Sequence, residues 1–180
     1  MKRFIYIIAC LCLFSARAGI AKDISVAITE PSKGTYQIEG ILKVVSPPRV
    51  VWEVLTDYDH MPEFLSSMTH SQVRQRRGHS LILEQSAIGS VFIFKKKILV
   101  FLKVDEKPFH EIDFEDISHT DFEFYEGSWQ LEHQPGVLVI HYEVTAKPLS
   151  STPRFLARGA FLKTAQKLLE ELQTEIKKRG

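Results

Sequence analysis

A chain of 180 residues with 44% hydrophobic and 25% charged side chains is globular and long enough for one domain with its own core. It carries no internal repeat and no low-complexity tract, which excludes a solenoid and a disordered chain. A formal net charge of +1 gives no electrostatic footprint for a nucleic-acid partner.

Residues 1–21 read as a secretory signal peptide. Met1, Lys2 and Arg3 form a basic start, and residues 4–14 form an apolar run too short to span a bilayer comfortably. Ala16-Arg17-Ala18 and Gly19-Ile20-Ala21 are small-x-small signatures, placing cleavage after Ala18 or Ala21. A lipoprotein signal fits less well, because the run continues past Cys10. Residues 22–180 are then the mature domain. Both cysteines, Cys10 and Cys12, fall in the leader, so the mature chain has neither disulfide nor thiol chemistry. Cleavage after Ala18 takes Lys2, Arg3 and Arg17 from 23 basic residues against 22 acidic ones, leaving a net of about −2. The expected location is periplasmic or secreted, in a Gram-negative bacterium.

Residues 24–29 alternate like a strand, and residues 30–34 read as a turn. A firmer strand spans 36–46, with Gly40 as a candidate bulge. Ser46-Pro47-Pro48 ends it and starts a short helix over about 47–55, with Ser46 as N-cap and Pro47 at the first position. Val51, Val54 and Leu55 form its inner face, joined by Val50 or Trp52. A second short helix is predicted at 61–64. Six strand-like segments follow, at about 70–77, 80–88, 91–105, 109–117, 121–132 and 137–147. Gly78, Gly89, Lys107-Pro108, Ser118-His119-Thr120 and Pro135-Gly136 mark the turns between them. Connections this short predict an antiparallel meander. Ile112 and Phe114 face one way and Glu111, Asp113 and Glu115 the other, so the sheet has a dry face and a wet one.

Residues 153–178 form the element that organises the rest. Phe161, Ala165, Leu168, Leu172 and Ile176 recur at helical spacing, with Phe155, Leu162 and Leu169 beside them. Ser151 and Thr152 are candidate N-caps, and Lys177, Lys178 and Arg179 suit the negative end of the helix dipole. Roughly 25 residues make a helix about 38 Å long. A stripe of that length requires a large partner surface. The predicted fold is therefore α+β: a curved antiparallel sheet wrapped around a long C-terminal helix, with two short helices after the strand at 36–46. Such a grip leaves room for an apolar cavity between sheet and helix.

Several stretches resemble one family. Val51 to Phe64, reading VWEVLTDYDHMPEF, is similar to the N-terminal motif of the coenzyme Q-binding / polyketide cyclase-dehydrase family of the START-like, helix-grip superfamily. Leu83-Glu84-Gln85, the stretch from Val104 to Pro108, and Gly127-Ser128-Trp129-Gln130-Leu131 resemble further family segments in register. The resemblance covers about residues 36–178. It implies a pocket for a small apolar or amphipathic ligand without naming it, because relatives include quinone binders, lipid carriers, aromatase/cyclases and a ribosome-associated toxin. An export signal and a slightly acidic mature chain set this protein apart from the intracellular relatives.

Candidate chemistry is sparse. Asp57, Asp59 and Glu63 cluster with His60, either as an acid/base group or as turn-forming and capping residues, and the latter accounts for them more simply. His141 and Glu143 share a strand face, where a surface polar pair is the simpler reading than a metal site. No H-E-x-x-H, phosphate loop or G-x-S-x-G appears. Neither metal, other cofactor nor catalytic residue is expected. Arg74, Arg76 and Arg77, with Lys95, Lys96 and Lys97 beside Phe92 and Phe94, are solubilising residues or a surface for transient membrane contact. The aromatic residues are core by type. Phe114, Trp129, Tyr142, Phe155, Gly159 and Leu162 are the expected pocket lining; Gly159 stands out because glycine inside a helix costs about 1 kcal/mol relative to alanine. The sequence thus predicts an exported, monomeric binding domain for a hydrophobic small molecule of lipid or isoprenoid quinone type. A cyclase or dehydratase acting on a polyketide-like substrate, and a ligand-free protein-interaction module, are the alternatives.

Overall fold

Pro47 and Pro48 turn the chain out of its second strand and into its first helix, and the prolines explain where the strand stops. In this computed structural model the described residues are 23–91, 94–149 and 154–180. The leader, Phe92 and the Ser151–Thr152 cap lie outside them. Strands β1 (Ile24–Ser32) and β2 (Thr35–Val44) precede helix α1 (Pro48–Thr56), a 3-10 turn (Tyr58–His60) and helix α2 (Met61–Phe64). Then come β3 (Met68–Arg77), β4 (Ser80–Val91), β5 (Phe94–Lys107), β6 (Glu111–Asp116), β7 (Phe122–Gln134) and β8 (Val137–Pro148), and finally helix α3 (Arg154–Arg179). All strands pair antiparallel in one sheet of order β1-β2-β8-β7-β6-β5-β4-β3. The meander closes on β2, as a grip requires.

The dry face of the sheet holds Leu138, Ile140, Tyr142, Val144 and Ala146 of β8, all buried, opposite Tyr36, Ile38 and Leu42 of β2. Helix α3 packs on its β1–β2 side with Ala165, Leu169, Leu172 and Ile176, each 5% exposed or less. Helix α1 buries Val50, Val51, Val54 and Leu55, so Val50 rather than Trp52 completes its inner face. Trp52 instead packs against Phe109, with ring centroids 5.6 Å apart.

Three local readings need correction. The α1 cap is Pro47, without a side-chain hydrogen bond, and not Ser46. Gly40 is no bulge: it sits in regular register between Val26 and Tyr142. Gly89 marks no turn, because it lies within β4 and pairs with Lys96 of β5. In β7 a register shift between Phe122 and Phe124 brings Phe122 onto the dry face with Tyr125, Trp129 and Leu131. By contrast Pro135-Gly136 turns the β7–β8 hairpin as expected, with Gly136 at a φ of +79° that suits glycine.

Two ionic clusters fix the short helices. Tyr58 donates a hydrogen bond to Glu106 at 2.9 Å, and Arg76 reaches the same carboxylate at 2.9 and 3.2 Å. At the far end of α3, Arg179 bonds Asp57 and Glu175, each at 2.8 Å, and its guanidinium lies over the Phe64 ring at 5.4 Å.

Candidate functional site

Residue register assembles the inner face of β6, β7 and β8. Ile112 stands opposite Trp129, Trp129 opposite Tyr142, and Phe114 opposite Gly127. Trp129 and Tyr142 stack at 4.2 Å with an interplanar angle of 30°. Tyr125 meets Phe122 at 4.9 Å and Phe114 at 5.7 Å. Although these rings sit on the dry side of the sheet, Phe114, Tyr125 and Trp129 stay only half-buried. The reason lies in the grip. Among the described residues, α3 approaches β1, β2 and β4 closely, with no comparable approach to β5–β8. The aromatic floor is thus left partly uncovered, with Phe161 and Leu162 of α3, also half-buried, packing against the same core.

Of the six expected lining residues, Phe114, Trp129 and Tyr142 share this floor, and Leu162, half-buried on α3, packs against the hydrophobic core. The Phe155 side chain lies outside the described residues. Gly159 is exposed, and a Cβ built on it would meet nothing within 4 Å. Among the described residues no close packing explains that glycine.

Two polar residues on the same face escaped the sequence reading. Asp116 follows Ile112 and Phe114 in the dry phase of β6 and is 4% exposed. An acid in that phase was a legible signal. Tyr125 stands in unbroken alternation with Gly127, Trp129 and Leu131, a signal the sequence also carries; the β7 shift lies before it, between Phe122 and Phe124. Its hydroxyl is hydrogen-bonded to that of Tyr142. Burial pushes both phenols up from their ordinary value, so both stay protonated at neutral pH.

The Asp57 cluster is structural in its contacts. Asp57 bonds His60 at 2.6 Å and Arg179 at 2.8 Å, and Asp59 accepts the backbone N–H of Val73 at 2.8 Å. Burial alone would raise the Asp57 carboxyl, but the bonds from His60 and Arg179 outweigh it and hold it below the usual range. His141 bonds Glu132 at 3.0 Å across the hairpin, not Glu143. Among the described residues no three potential ligands gather around a metal position. Arg74 and Arg76 are engaged by Glu84 and Glu106, which depletes the basic patch; the side chains of Lys95 and Lys96 lie outside the described residues. On the wet side of the sheet, a groove beside Gly127 is ringed by Asp105, Asp113, Glu115, Glu126 and Glu143, a lining unsuited to an apolar ligand.

A curved antiparallel sheet gripping a C-terminal helix, with a part-uncovered aromatic floor, defines the START-like, helix-grip class. The chain belongs to the polyketide cyclase / dehydrase and lipid transport family, whose model matches residues 44–173. Solved structures share the fold. A protein from Thermus thermophilus is 16% identical over 79% of this chain and 97% of its own, with a TM-score of 0.70. The Zhui aromatase/cyclase from Streptomyces sp. R1128 is 13% identical over 81% and 95%, at 0.69. A STAR-related lipid transfer protein from Xanthomonas axonopodis is 15% identical over 89% and 97%, at 0.68. No curated protein sequence matches.

Proposed function

We propose that this protein is an exported carrier or binding domain that holds a hydrophobic small molecule, of lipid or isoprenoid quinone type, between the inner face of β5–β8 and helix α3. The observation that carries the reading is Trp129, which stacks on Tyr142 at 4.2 Å on the dry side of the sheet yet stays half-buried. A large apolar ring is left partly open at low cost where a ligand completes its burial. The lipid-transfer name of the Xanthomonas relative agrees with this use of the fold. The leader at 1–21 belongs to the proposal: its basic start, apolar run and small-x-small sites fit export and removal. N-terminal sequencing of the exported protein is expected to begin at Gly19 or Lys22.

Native mass spectrometry of the mature protein, followed by organic extraction, tests the binding role. A stoichiometric adduct of an apolar molecule is expected. A bare protein mass after mild purification, together with no change in tryptophan fluorescence on adding apolar probes, would remove the reading.

A second reading, cyclase or dehydratase, draws on one observation: Tyr142 and Tyr125 bring two phenol hydroxyls to the same floor. With both phenols held protonated, they would serve as proton donors and not as bases. Turnover of a polyketide-like substrate that disappears in Tyr142→Phe with the fold intact is the result this reading requires.

A further inference from the structure

We infer that Asp116 is the polar anchor of the inner site, and that the molecule bound there is an apolar compound carrying a hydroxyl group. The inference rests on the binding role proposed above and specifies its ligand.

The two carboxylate oxygens of Asp116 have different lives. Oδ1 accepts three hydrogen bonds, from the Phe101 N–H at 3.1 Å, the Ser118 N–H at 3.0 Å and the Ser118 hydroxyl at 2.7 Å. These bonds hold the end of β6 and its following turn. Oδ2 is buried and has no hydrogen-bond partner among the described residues. The backbone therefore fixes this carboxylate through one oxygen and leaves the other free inside the protein. A buried acceptor without a donor is costly, and native folds rarely leave one unless something else bonds to it.

The surroundings define what that something is. Asp116 occupies the dry phase of β6 after Phe114, and its charge is felt by Tyr125. One phenol proton suffices for the bond between the two tyrosines, so the pair has a second to give. The proton of Tyr125 can then be offered onward. An acceptor at Oδ2 and a donor at Tyr125, bordered by Phe114 and Phe122, form the complement of a hydroxyl, which gives one hydrogen bond and takes one. An ether or ketone offers no proton to Oδ2. A fatty acid anion would bring a second negative charge against Asp116. Alcohols and phenols fit on all three counts.

The test uses the mature protein and two probes of nearly equal size, 1-decanol and methyl decyl ether, titrated by calorimetry. The wild type is expected to bind the alcohol about tenfold more tightly, the size of one charge-assisted hydrogen bond. In Asp116→Asn the amide oxygen keeps the Ser118 and Phe101 donors while the amide N–H₂ replaces Oδ2. The preference should fall below about twofold, with ether affinity retained. Tyr125→Phe keeps the ring and removes one partner, so it should also narrow the preference, and it carries the test if Asp116→Asn does not fold by circular dichroism. Equal affinities in the wild type, or an unchanged preference in the folded variants, would overturn the anchor while leaving an apolar site standing. Failure of both probes to bind would overturn the anchor together with the binding role.

Discussion

Gly40 and Leu169 meet where helix α3 crosses the sheet: a Cβ on Gly40 would stand 2.9 Å from the Leu169 Cδ1 and 3.4 Å from the Tyr142 Cβ. The glycine lets the helix lie close to β2, and Leu169 is fully buried in the space thus made. Gly40→Ala is expected to cost about 1–2 kcal/mol, overpacking offset in part by reduced freedom of the unfolded chain. Gly127→Ala should be far worse, because there the new Cβ would lie 2.1 Å from the backbone oxygen of Glu143, which cannot rotate away. Urea denaturation of the two variants checks the order. Equal losses would refute the distinction between a movable side-chain tip and fixed backbone.

Trp129 links the fold to the proposed ligand. Trp129→Lys places a charge on the aromatic floor and should reduce affinity for an apolar probe at least tenfold, since each buried large apolar side chain contributes roughly 1.5–3 kcal/mol. Glu143→Gln, exposed on the wet face, should leave affinity unchanged. Fluorescence titration with an environment-sensitive apolar dye compares them. Identical affinities in both variants and the wild type would place the binding site elsewhere.

The architecture was legible because its signals are periodic and long. Helix α3 runs 26 residues with its stripe intact, and each predicted strand finds its counterpart in the sheet. The G-x-W-x-L stretch carried real information: Gly127 is dictated by the Glu143 carbonyl, and Trp129 and Leu131 share the dry face. What stayed hidden depends on tertiary register. A one-residue slip in β7 brings Phe122 onto the face of Tyr125, Trp129 and Leu131, and no local pattern announces it. Asp116 was visible as an acid in an apolar phase, but its unequal oxygens follow from the Phe101 and Ser118 backbone, which come together only in the folded sheet. Gly159 stands out as a helix glycine, yet no described residue packs against it.

The Asp57–His60 pair offers a titration that separates structure from catalysis. The hydrogen bond to Asp57, then its charge and that of Glu63, hold the His60 imidazole above its ordinary value of 6.5. The stability contributed by His60 is therefore complete below 6.5 and lost as pH rises through the raised value. Asp57 acts in the opposite sense: its contribution is complete above the ordinary carboxylate value of 3.8 and lost as pH falls through its lowered one. The clamp joining α1 to the end of α3 is strongest between these limits. An NMR titration should find His60 above 6.5 in the wild type and lower in Asp57→Asn. Ligand affinity should be untouched in that variant; a parallel loss of activity or binding would return Asp57 to the functional site.

Alkaline pH should unfold this protein through its buried phenols. Burial first, then the charge and hydrogen bond of Glu106, pushes Tyr58 far above the ordinary 10.0. Burial also raises Tyr125 and Tyr142, with Asp116 adding to the first and Tyr125 to the second. Above pH 10 the unfolded chain releases these protons while the native chain keeps them, so the unfolded state binds fewer protons and stability falls as pH rises. Each retained proton contributes about 1.4 kcal/mol per pH unit to that slope. Tyr142→Phe removes one such group and should flatten the decline by about that amount, even though it loses stability at neutral pH through the missing hydroxyl bond. Urea midpoints measured from pH 9 to 11.5 in wild type and variant isolate the difference, because other titrating groups are common to both. Parallel pH profiles would mean that Tyr142 ionises in the native state, and with it would go the protonated phenol pair on which the hydroxyl-binding site depends.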